Sequence, residues 1–247
     1  MKNKILDNYF LLLFSIIPLT IIIGPAISLG TILLIDFSFI LFLVYKNEYK
    51  FFLNKTVKLI LLLCLYLIFN SLIAKDFSIS AFRNLGFIRF GILFLAFNYF
   101  FLNSNFYKKI LVIWTLTLFI LVVDVYIESF MGRNILGYGE LYGSRIVSFF
   151  KDEPVVGGYI NAFYLIIIGY LFNLSKDCSK NLKYVILMIS VLFILAIFLT
   201  GERSNTIKAF IGFFIFFIIN DHFKLKQKIF SIFLFFILIA ILFNESE

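Results

Sequence analysis

The chain predicts an all-α, polytopic integral membrane protein of about nine transmembrane helices. Three observations carry that expectation. Of 247 residues, 62% are hydrophobic and 20% aromatic, and only 15% are charged, against roughly a quarter charged in soluble chains. Apolar runs near the length of a bilayer crossing recur from one end of the chain to the other. The lysines gather in short clusters on alternate connections between those runs, the mark of membrane orientation.

Taken in order, the first run (9–23) follows Met1-Lys2-Asn3-Lys4 in the manner of a signal peptide. Pro25 and a second long run (26–45) come next with no small-residue cleavage site, so the first run is read as a retained span. The third run (58–73) contains Cys64, and the fourth (84–102) is entered through Ser80 to Phe90. The fifth (109–127) carries Asp124 with Glu128 just beyond it, and opens the longest polar connection, from about Glu128 to Glu153. Pro154 introduces the sixth (155–173), because proline suits a first helical turn. The seventh (184–200) and eighth (206–220) flank the turn Leu199-Thr200-Gly201-Glu202-Arg203-Ser204-Asn205, and a ninth (229–243) closes the series. Several runs are short for a hydrocarbon layer of ~30 Å, which implies tilt or local thinning. No internal repeat or low-complexity linker interrupts residues 1–247, which read as one transmembrane domain.

If the spans simply alternate, Lys2, Lys4, Lys46, Lys50, Lys55, Lys58, Lys108, Lys109, Lys176, Lys180, Lys183, Lys224, Lys226 and Lys228 all fall on one side. That side is the cytoplasm, with the N-terminus inside and Asn244 to Glu247 outside. Lys75, Lys151 and Lys208 are the exceptions, each near an external span end. The five arginines, Arg83, Arg89, Arg133, Arg145 and Arg203, fall in or beside the opposite, external connections. Positive charge is disfavoured there, and guanidinium is the group that grips phosphate in a forked geometry. An anionic, phosphorylated ligand on the external face follows.

Other chemistries find no support. The net charge of +8 is distributed as loop clusters, not as a nucleic-acid footprint. Cys64 lies in a span and Cys178 in a cytoplasmic connection, so no disulfide framework is expected. No phosphate-binding glycine loop, metal-ligand spacing or nucleophile elbow appears, and no metal or cofactor is expected. The one histidine, His222, falls in a lysine-rich connection assigned to the cytoplasm.

Four constellations lie on the external side. Arg83 and Arg89 are six helical residues apart, hence about 120° apart around the helix. Arg89 either snorkels or pairs with a carboxylate, or else holds a ligand. In Arg145-Ile146-Val147-Ser148-Phe149-Phe150-Lys151-Asp152-Glu153-Pro154-Val155-Val156-Gly157-Gly158-Tyr159, Asp152 or Glu153 either caps the following helix or acts on an acceptor hydroxyl. Gly157 and Gly158 admit close approach of another segment. In the turn before the eighth span, Thr200, Ser204 or Asn205 is a capping candidate, and Arg203 either pairs with Glu202 or a lipid headgroup or joins a helix N-terminus in binding an anion. Asp124, Glu128 and Arg133 form the fourth group, with the acids as partners for the arginines. Asp36, near the middle of the second span, stands apart as a mid-membrane carboxylate. Tyr126, Tyr138, Tyr142 and Tyr159 fit an interfacial belt.

Arg83 through Phe90, Arg145 through Tyr159 and Thr200 through Asn205, in that order and on one side, resemble the bacterial O-antigen ligase and O-antigen polymerase family. The resemblance covers about 75–243. It implies a metal-independent glycosyltransferase of the inner membrane, active at the periplasmic face and concerned with cell-surface polysaccharide. Such enzymes move a glycan from undecaprenyl pyrophosphate onto an acceptor hydroxyl, either on lipid A core or on another lipid-linked glycan. On that basis Arg145 and Arg203 hold the pyrophosphate with Arg83 or Arg89 assisting, and Asp152 or Glu153 holds the acceptor or an arginine. Family members continue into a large periplasmic loop bearing a catalytic histidine, whereas this sequence stops at Glu247 where that loop should begin. The expectation is either a truncated gene or fragment, or a chain whose missing part another chain supplies; by itself it carries a substrate-binding half and is expected to be inactive. The alternative from the residues alone is a membrane carrier or flippase for an anionic lipid or metabolite.

Overall fold

The computed structural model describes residues 4–47, 51, 53–101, 104–139, 145–151, 153–175 and 180–219. They form eight α-helices and a short 3-10 turn at Ser148–Phe150, with no strand among the described residues. The helices are α1 (Lys4–Ile23), α2 (Pro25–Lys46), α3 (Lys55–Leu72), α4 (Phe77–Phe101), α5 (Ser104–Met131), α6 (Val156–Leu174), α7 (Lys180–Leu199) and α8 (Arg203–Ile219). Seven of them are long and apolar enough to cross a membrane. The eighth expected span falls on α8, whose described length is 17 residues. The ninth, 229–243, lies outside the described residues.

The chain divides into two compact units, Met1–Ile113 and Trp114–Glu247. In the first, α1 and α2 form a hairpin, α2 packs on α4, and α4 packs on α3. The hairpin turns at Gly24, whose φ of 150° is open to glycine, and Pro25 opens α2 at a position that needs no N–H. Asn54 starts α3 by accepting from the Thr56 amide at 3.3 Å. The core of this unit is aromatic: Phe10 lies 4.4 Å from Phe100 and Phe14 4.4 Å from Phe97, centroid to centroid. Such ring pairs add about 0.5–1.5 kcal/mol each beyond the area they bury.

α4 begins at Phe77, seven residues before the start expected from hydropathy. The reason is polar. Asn84, buried between α3 and α4, places its amide nitrogen 3.2 Å from the Leu67 carbonyl, 3.0 Å from Ser71 Oγ and 3.4 Å from Ser80 Oγ. Polar side chains at and just ahead of the expected start are thus satisfied inside a helix pair. Farther along, α3 turns Leu59, Leu62, Leu65, Phe69 and Leu72 outward. Water would penalise that surface by ~25 cal/mol per Å², whereas lipid does not.

In the second unit, α6 packs on both α7 and α8, and α7 packs on α8. α6 is the buried helix, with Ile160, Tyr164, Ile167 and Ile168 fully enclosed. The Tyr164 hydroxyl donates to the Ala209 carbonyl of α8, and Tyr126 of α5 donates to Leu192 O of α7 at 2.7 Å. Trp114 meets Phe163 edge-on at 5.3 Å, and Phe119 meets Phe193 at 5.2 Å.

Candidate functional site

At one end of the second unit the connection after α5 folds back on the end of α5, and the turn between α7 and α8 closes on the start of α6. A glutamate makes each closure. Glu128, 4% exposed in the last turn of α5, accepts from the amides of Val147 at 3.0 Å and Ser148 at 2.6 Å. One turn earlier, Asp124 accepts from Ser148 Oγ at 2.5 Å and from the Ile135 amide at 3.0 Å. Asn134 completes the frame: its Nδ2 donates to the Ser148 carbonyl at 2.7 Å, and its Oδ1 accepts from the amides of Leu136 and Tyr138. Ser148 is therefore fixed at N, O and Oγ together. It needs that support, because its φ is 47°, a left-handed conformation that costs a non-glycine residue about 1–3 kcal/mol.

Asp124 and Glu128, read from the sequence as counter-charges for arginine, accept from loop backbone. The spacing of four residues that puts both carboxylates on one helix face serves to grip one segment at two points.

The second glutamate is Glu202. Its two oxygens accept from the amides of Gly157 at 2.7 Å and Gly158 at 3.1 Å, and one of them also accepts from the Asn205 side chain. This is the anion expected at a helix N-terminus, supplied from a turn some 45 residues away. The expectation that Asp152 or Glu153 caps α6 is corrected for Glu153: its carboxylate makes no cap, and the helix is closed by Glu202. Asp152 lies outside the described residues. Glu202 is likewise committed to α6 rather than to its neighbour Arg203. Its own carbonyl starts α8 by accepting from the amides of Asn205 and Thr206.

The glycine pair makes this approach possible. A Cβ on Gly157 would lie 2.5 Å from Thr200 Oγ1 and 3.0 Å from the Glu202 carboxyl. Thr200 has little room to yield, since its hydroxyl already donates to Ile197 O. Gly157→Ala is expected to cost ~1–3 kcal/mol. Gly169→Ala, in the same helix with open space around it, should instead be neutral or stabilising by up to about 1 kcal/mol. Thermal unfolding of the two variants in detergent checks the contrast.

Around this frame stand the charged side chains. Arg145 is exposed two residues before the amide that Glu128 holds, and Arg203 is exposed immediately after Glu202. Neither guanidinium has a hydrogen-bond or ion-pair partner among the described residues. Glu153 is exposed, and Lys151 places its ammonium 5.8 Å from the Tyr138 ring. Tyr159 packs between Phe150 and Phe163 rather than in an outer belt, and Tyr142 lies outside the described residues. Arg145 and Arg203 thus stand exposed on backbone that Glu128 and Glu202 anchor. Sequence reasoning flagged both arginines and both glycines, and named Glu128 and Glu202 as partners for arginine rather than as acceptors of backbone amides.

Arg83 and Arg89 belong to the first unit. Arg83 is exposed in the second turn of α4. Arg89 sits at the midpoint of the 25-residue helix, deeper than the 84–102 boundary implied. Its guanidinium lies 4.8 Å from the Phe90 ring centroid, a cation–π contact. Its Nε is buried without a hydrogen bond, as are both carboxylate oxygens of Asp36. No group of three or more metal-ligating side chains occurs among the described residues. Comparison with protein-family models, curated proteins and solved structures finds no match for this chain.

Proposed function

We propose that the end of the second unit carrying Arg145 and Arg203 binds the diphosphate of an undecaprenyl-pyrophosphate-linked glycan. The chain then serves glycan transfer or polymerisation onto an acceptor hydroxyl, in the manner of the O-antigen ligase and polymerase family that its motifs resemble. In this reading about nine spans place the N-terminus in the cytoplasm and the arginine end at the periplasmic face of the inner membrane. As diphosphate leaves, charge grows on its oxygens, and guanidinium groups held in place beforehand lower that barrier without reorganising. Glu153, exposed beside them, and Asp152 orient the acceptor hydroxyl or take its proton.

The observation that carries the reading is the docking of the Thr200–Asn205 turn onto Gly157 and Gly158 through Glu202. It joins the two most specific of the resembling segments at one end of one bundle and leaves both arginines unpaired. The test is substitution by lysine, which keeps the charge and removes the fork. Arg145→Lys and Arg203→Lys should each insert normally, yet weaken binding of undecaprenyl pyrophosphate to the full chain in nanodiscs by about 10-fold. Unchanged binding and an unchanged surface-glycan profile would remove the enzymatic reading. A carrier for an anionic lipid would retain donor binding but catalyse its passage between leaflets, which a vesicle flip assay reads directly.

A further inference from the structure

We infer that Asp36 is a proton-exchanging carboxyl in the interior of the first unit, with Arg89 as its internal counter-charge. Asp36 lies midway along α2 and is 4% exposed. Neither of its oxygens has a hydrogen-bond partner. Arg89 lies midway along α4, the helix packed on α2. Its guanidinium does not bond to the carboxylate, and its Nε is also orphaned. Ser15 of α1, 3% exposed, has an unpartnered hydroxyl. The antiparallel register set by Tyr9 against Ser38 and Phe10 against Phe42 brings Ser15 level with Asp36. Every orphaned buried side-chain polar atom among the described residues belongs to these three residues.

That concentration contrasts with the second unit, where Asp124, Glu128 and Glu202 are all bonded. A carboxylate without hydrogen bonds in a low-dielectric interior costs several kcal/mol, and an apolar residue of similar size would fill the space at less cost. Two circumstances relieve the cost in opposite ways. Taking up a proton removes the buried negative charge, and the facing guanidinium favours releasing it again. The step is Asp36 carboxyl to carboxylate plus a proton delivered to water, and the interior changes by one unit of charge. Among the described residues no other charged group lies at this level. α1 offers Lys4 and Asp7 near its start, and its Tyr9 hydroxyl is engaged by Ser38. α4 offers only Arg89, with Arg83 exposed nearer its start.

The experiment uses the full chain in lipid nanodiscs and dicyclohexylcarbodiimide. This apolar reagent adds a protonated carboxyl across its N=C=N bond. Peptide mapping by mass spectrometry over a range from about pH 5 to about pH 9 should find label on Asp36 that declines as the pH is raised, and none in Asp36→Asn. In Arg89→Gln the label should persist to higher pH, because the charge favouring the anion is gone; the comparison cancels the reagent's own pH dependence. The wild-type profile needs no variant to be read. Absence of label on Asp36 throughout this range overturns the inference. So does a profile that Arg89→Gln leaves unmoved, which marks a permanently protonated structural acid. Suppression of label by sodium chloride but not choline chloride at fixed pH also overturns it, because the occupant is then a metal cation.

Discussion

Glu202→Ala is expected to lower stability by about 3–5 kcal/mol, since charge-assisted hydrogen bonds contribute ~1.5–3 kcal/mol each and the donors left behind are partly buried. One side chain closes the start of α6 at Gly157 and Gly158 and ties it to Asn205. Truncation therefore leaves two helix amides without an acceptor and frees the turn between α7 and α8. Thermal unfolding in detergent should show a midpoint lower by roughly 10 °C. Hydrogen exchange should rise first at the Gly157 and Gly158 amides, ahead of the rest of α6. Glu202→Gln, which keeps one acceptor but loses the charge, should fall between wild type and Glu202→Ala. Equal stability of all three would mean that the carboxylate does not hold this end of the bundle.

Glu128→Ala should act on the same scale, about 3–5 kcal/mol, for a different reason. It orphans two buried amides at ~1–3 kcal/mol each, and it withdraws support from Ser148 at its left-handed φ of 47°. That strain gives the experiment a second handle. Glycine bears no penalty at such a φ, although Ser148→Gly gives up the hydroxyl bond to Asp124. Combined with Glu128→Ala, Ser148→Gly should cost less than the sum of the two single changes, with a coupling of about 1 kcal/mol or more. Strict additivity would show that the frame does not store the strain. Because Arg145 lies two residues before Val147, the folded fraction of Glu128→Ala should also bind diphosphate more weakly.

The helices were legible in the sequence wherever lipid decides the outcome. Each apolar run through the seventh span coincides with a helix able to cross a membrane, because twenty apolar residues in a row have few other fates. The first turns of α4 were not legible. Ser80 lies ahead of the expected span and Asn84 is its first residue, and hydropathy does not record that Leu67 and Ser71 stand opposite them. Gly157 and Gly158 could be marked for close approach, since only the absence of a side chain was at issue. What approaches them could not be marked. Glu202 stood beside Arg203, and Glu128 stood near Arg133, so adjacent opposite charges offered a nearer explanation than backbone amides far along the chain. Carboxylates that bind amides leave no periodic trace, whereas apolar faces do. Asp36 was visible as a charge in a span, but its lack of partners is a fact of packing.

The order in which the two fastenings become available differs. The Glu128 clasp needs nothing beyond Ser148, so it can form as soon as that stretch leaves the ribosome. The start of α6 must wait until Asn205 has been synthesised, with α7 already threaded into the bilayer. During that interval the amides of Gly157 and Gly158 lack the acceptor that the folded chain gives them.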